Sequence, residues 1–148
     1  MLSDDEDHEQ TYLTFRDKLT SLISALHAVG QTKRDADVHL LNARRLRDEF
    51  VSATLFERQH LFELQQESDA RKAMLCIELE MHHTAEDFFE AVRACDVACA
   101  DIQAKLDFMD ERCEALDNAV ISAVENRNEA NRAVELKLIE LDELFHDS

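Results

Sequence analysis

The sequence predicts an all-α fold, a long antiparallel coiled-coil hairpin that a second copy can thicken into a helical bundle. Three observations predict it. The chain holds no proline and a single glycine, Gly30, among 148 residues. Average usage would supply roughly eighteen more of these breakers, and tight turns depend on them. Apolar residues recur at alternating spacings of four and three along both halves, the pattern of a helical seam. One strong corner signal stands close to the middle, so the chain reads as one helical domain with a first arm over about 4–81, a corner over about 82–84 and a second arm over about 84–146.

In the first arm, Ser3–Asp4–Asp5–Glu6 forms a capping box whose acids suit the helix dipole. Phe15, Leu22, Val29, Ala36, Ala43 and Phe50 fall seven apart, with Leu19, Leu26, Lys33, Leu40 and Arg47 between them. Gly30 allows two readings. One is a stop, with a restart at 30–32 capped by Thr32 and Asp35. The other is a continuous or kinked helix, which costs only about 1 kcal/mol relative to alanine. The seven-residue spacing crosses Gly30 undisturbed and favours the second.

Over 50–64 the apolar face widens. Phe50, Ala53, Leu61 and Leu64 form one stripe, Val51, Leu55 and Phe62 a neighbouring one, and Phe56 lies close by. A two-helix seam needs only a narrow stripe, so the extra width suggests a local bundle core or a dimerisation patch. Residues 65–72 then contain only Ala70 as an apolar side chain, and Ala70, Met74, Ile77 and Met81 continue in a new phase. That stretch is either a break over 65–69, with Ser68 as a weak cap, or exposed helix.

The corner rests on Thr84–Ala85–Glu86–Asp87, a capping hydroxyl followed by first-turn acids, with Phe88 and Phe89 beyond. His82 and His83 suit the preceding helix end, and Met81 and Phe88 could close over the turn. In the second arm, Cys95, Ile102, Met109, Leu116, Ala123 and Ala130 alternate with Cys99, Leu106, Cys113, Val120, Arg127 and Val134. Leu138, Leu141 and Phe145 then shift the spacing by a stutter, which relaxes supercoiling. About 60 helical residues would span roughly 90 Å. Reversal at the corner sets Phe56 beside Phe108, Phe62 beside Ile102, and Leu22 between Leu141 and Phe145. It also lays polar 65–72 against the apolar stretch from Val92 to Cys99, a mismatch that a second copy or local unpairing would have to resolve.

The formal charge of −17 repels phosphate backbones and anionic lipid, which argues against nucleic-acid or membrane-surface binding. Arg44, Arg45 and Arg47 are diluted by Asp48 and Glu49 and read as solvated surface. No apolar run is long enough to span a bilayer. The acidic opening is the reverse of a basic signal peptide, so the expected location is intracellular, cytoplasmic or cytoskeletal. Cys76, Cys95, Cys99 and Cys113 read as small hydrophobes rather than a disulfide framework.

Glu80–Met81–His82–His83 and Glu57–Arg58–Gln59–His60 both satisfy the Glu-x-x-His spacing of di-iron bundles. They stand too close in sequence to come from facing helices with complete helices between them. No zinc pattern, calcium loop or nucleophile–base arrangement is legible, and His39 and His60 read as surface residues. No cofactor, metal or catalytic residue is therefore expected. The general pattern is similar to cytoskeletal coiled-coil segments, over most of the chain and through no specific motif. The expected role is a non-enzymatic scaffold, with protein partners including a second copy, in a cytoskeletal, kinetochore-like or trafficking assembly. A compact four-helix adaptor or chaperone, holding a client helix in a groove, is the alternative and requires true corners at Gly30 and Ser68.

Overall fold

The computed structural model describes residues 4–82 and 85–146, and their side chains from Glu6 onward except at 81, 82, 85 and 87. Two helices hold all of them: α1 (Asp4–His82, 79 residues) and α2 (Ala85–His146, 62 residues), packed as an antiparallel hairpin. The proposed caps at Ser3 and Thr84, the histidine pair at 82–83 and the Met81–Phe88 closure lie outside the described residues or side chains.

Gly30 and Ser68 are interior residues of α1, so neither is a corner and the chain is a two-helix hairpin rather than a four-helix module. The local chemistry explains why. Thr32 does not cap a restart; its Oγ1 donates back to the Ala28 carbonyl at 3.2 Å, one turn earlier. Thr11, Thr14, Thr20 and Thr54 do the same with their own preceding turns. Asp35 accepts from the Gln31 side-chain amide within the helix.

The hairpin divides into two compact units, one from the stretches up to Arg44 and from Ala119 onward, the other from Arg45–Asn118. In the first, Leu40 and Ala43 of α1 meet Val120 and Ala123 of α2, with Val124 packed alongside. Ala123 is wholly buried, and its small side chain lets the two helices close together there. Phe15, Leu19, Leu22 and Leu26 continue this seam as half-buried residues. The ring of Phe15 lies edge-on to that of Phe145, centroids 5.8 Å apart.

On α2 the four–three spacing runs unbroken to its end. Val134, Lys137, Leu141 and Leu144 are half-buried, whereas Leu138 is 48% and Phe145 55% exposed. The stutter expected after Val134 is therefore absent. Lys137 occupies the seam position because its long aliphatic stem can cover apolar surface while the ammonium reaches Glu140.

In the second unit, Leu61 of α1 packs with Ile102, Leu106 and Met109 of α2, and Leu64 supports them. The stutter is here, on α1. Phe50, Thr54, Arg58, Leu61 and Gln65 face inward, two spacings of four in succession. The seam then continues through Ser68, Lys72, Leu75 and Leu79. Met74 and Ile77, expected on it, are 58% and 51% exposed, and Ala70 is exposed too. Leu61 rather than Phe62 meets Ile102.

A candidate interaction surface

The seam of the second unit carries polar side chains that most two-helix interfaces would exclude. Arg58 pairs with Asp110 and points a second nitrogen toward Cys113 Sγ at 3.8 Å. Gln65 donates to Gln103 at 3.0 Å, Lys72 meets Asp96 at 2.6 Å, and Cys99 Sγ lies 3.6 Å from Asp69. These partners stand about one helical turn further along α2 than a simple reversal at the corner gives. They also resolve the mismatch between polar 65–72 and the stretch opposite it. Asp96 and Cys99 meet that segment and Cys95 is buried, while Val97 and Ala98 are exposed.

The four cysteines are free thiols: Cys95 buried, Cys99 and Cys113 half-buried, Cys76 exposed. Desolvation, reinforced by the hydrogen bond to Asp69, pushes the Cys99 thiol above its ordinary range, so it stays protonated and is a poor nucleophile. The hydrogen bond and charge of Asp96 raise the Lys72 ammonium. Both shifts hold these seam groups in the protonation states that their contacts need. Among the described residues no three His, Cys, Asp or Glu side chains converge as a metal site would require. Glu57 and His60 lie exposed on α1; the Glu80–His83 pattern reaches side chains outside those described.

The residues expected to form the seam separate into two groups. Phe50, Phe88, Cys95, Cys99, Ile102, Leu106, Met109, Cys113, Leu116 and Val120 are buried or half-buried. Leu55, Phe56 and Phe62 are not: they are 57%, 82% and 51% exposed, because Thr54 and Arg58 take the inward positions between Phe50 and Leu61. Counting apolar residues alone could not find that stripe, since two of its members are polar.

What remains outward is unusually apolar. Besides Phe56 and Phe62 on α1, Val97 is 64% and Phe108 68% exposed on α2. Phe108 does not meet Phe56. It lines an apolar groove of about 400 Å³ with Phe50, Thr54, Ala104 and Met109, rimmed by Glu57 and Lys105. A second depression, of about 540 Å³, lies along α2 over Ala94, Val97 and Ala98, flanked by Glu90, Arg93 and Asp101. Side chains this large are more often turned away from water on a helix that already has a partner.

Comparison of the chain with protein-family models and with curated proteins returns no match. No described helix is long and apolar enough to cross a membrane.

Proposed function

We propose that this chain is a non-enzymatic scaffold whose paired helices present an apolar outer surface to other helices, a second copy of itself among them. One observation carries the reading: the two helices satisfy each other through a single narrow seam, and aromatic side chains as large as Phe56 and Phe108 are left outside it. A helix that served only its hairpin partner would be polar on those faces. The setting that suits such a scaffold is a cytoskeletal, kinetochore-like or trafficking assembly inside the cell. There, long helices act as spacers and present side chains in a fixed order.

The acidic excess supports the same reading. It keeps the apolar surface soluble and makes nucleic acid and anionic membrane poor partners. Sedimentation equilibrium from about 1 μM to about 1 mM tests self-association, a range that covers dissociation constants equivalent to roughly 4–8 kcal/mol. A mass above the 17.1 kDa of one chain, rising with concentration, is expected. A single-chain mass throughout would remove the homotypic part of the proposal.

A further inference from the structure

We infer that a second copy of this chain docks on the back of α2, with the two α2 helices antiparallel about a two-fold axis between Val97 and Ala98. The inference rests on the homotypic part of the reading above and assigns it a face.

Glu90, Ala94, Val97, Asp101, Ala104 and Phe108 recur at spacings of four and three, on the side of α2 turned away from the buried Cys95, Ile102 and Leu106. The back of a helix in a two-helix hairpin is expected to be polar. Here its middle is apolar and open, with Val97 64% exposed over the 540 Å³ depression and Phe108 68% exposed about three turns on. Ala94, Ala98 and Ala104 are small enough for a second helix to approach to about 8 Å between axes.

The charges choose the occupant. Along this face they run acid, base, acid, base: Glu90, Arg93, Asp101, Lys105. Laid antiparallel on itself about Val97 and Ala98, the face sets Glu90 against Lys105 of the second copy and brings Arg93 within one residue's height of Asp101 of the second copy. Two-fold symmetry repeats both contacts. A parallel arrangement would set each charge on its own like. Within one chain Lys105 already stands 3.5 Å from Asp101, whereas Glu90 and Arg93 make no ion pair among the described residues. Docking would join all four into one line, Arg93 of one copy to Asp101 and Lys105 of the other and back to Glu90 of the first. A foreign helix has no reason to carry the mirror of this order; another copy carries it necessarily.

Charge exchange on the full-length chain tests the assignment. Glu90→Lys and Lys105→Glu, made singly, each replace two attractive contacts by two repulsive ones. Sedimentation should report dimers weakened about tenfold or more, given the coupling energies of facing charge pairs. The double exchange E90K/K105E restores opposite charges and should recover affinity to within about threefold. Val97→Arg, at the axis, should leave single chains. Circular dichroism of each variant checks that helicity is retained. Dimers indifferent to all four variants would show that copies meet elsewhere, which overturns this assignment and leaves the scaffold reading standing. A double exchange as weak as the single ones would overturn the antiparallel pairing. A wild-type chain that stays single to about 1 mM, its α2 face covered by some other helix or by none, would overturn this inference together with homotypic association.

Discussion

Leu106 offers the sharpest test of which stripe is the seam. It is 4% exposed and packs with Leu61, Ile102 and Met109. Leu106→Ala removes three buried carbons, worth about 0.8 kcal/mol each, or about 2.4 kcal/mol in transfer alone. A cavity contribution adds to this, but a small one. No large side chain in the described core is less than 2% exposed, so neighbours and water can reach the space vacated. The expected cost is about 2.5–3 kcal/mol, in the lower half of the range for leucine truncations. Phe56 is the control from the same unit. At 82% exposure it should cost no more than about 0.5 kcal/mol when truncated to alanine. Urea titrations followed by helical ellipticity give both values. They must be run at one protein concentration, because association would add stability by mass action. A Leu106→Ala cost under about 1 kcal/mol, or a Phe56→Ala cost equal to it, would show that the inward stripe has been misplaced.

Two further outcomes follow from single residues. A Cβ added at Gly30 meets nothing within 4 Å, and the residue is helical on both sides. Gly30→Ala should therefore stabilise by about 0.5–1 kcal/mol and raise the melting midpoint by a few degrees; a lowered midpoint would contradict the continuous α1. For Cys99, the raised thiol pKa means that folding favours the protonated form. That contribution is complete below the pKa of an unfolded thiol and is lost as pH rises through the higher folded value. Alkylation of Cys99, followed by peptide mass spectrometry against pH, should inflect above a free cysteine peptide, and Asp69→Asn should move the inflection down. An inflection at or below that of the peptide would count against the desolvated site.

Much of the architecture was legible because the absence of breakers is a global signal. Without proline, and with one glycine, the chain had little choice but long helices, and the run from Cys95 to Val120 gave the α2 seam residue by residue. The segment 50–79 of α1 was not legible, for a physical reason. Its inward positions include Ser68 and Thr54, whose hydroxyl is satisfied by the Phe50 carbonyl of its own helix. They also include Arg58, Gln65 and Lys72, which earn their place by ion pairs and a hydrogen bond with α2 rather than by apolarity. Periodicity of apolar residues then picks the nearest oily stripe, Leu55 with Phe62, which faces outward. Leu138 misled in the same way, since Lys137 covers the seam with its stem; Phe145, though 55% exposed, still lays its ring against Phe15 of α1. The back of α2 was missed because a stripe of alanines, one valine and one phenylalanine is faint beside the strong seam on the opposite side. The alternation of charge from Glu90 to Lys105 was the available clue.

The polar rungs between α1 and α2 make the pairing intolerant of sliding. Leucine against leucine is satisfied nearly as well after one turn of slippage. If α2 slid by four residues, Arg58 would leave Asp110 for Leu106 or Glu114, and Lys72 would leave Asp96 for Val92 or Ala100. In one direction both cations would be stranded against apolar side chains, and in either direction Lys72 would lose its acid. Each slipped register gives up contacts that only the observed one supplies, so one alignment of the two helices is selected over its near neighbours. An arm that presents side chains at set heights needs that fidelity more than it needs additional stability.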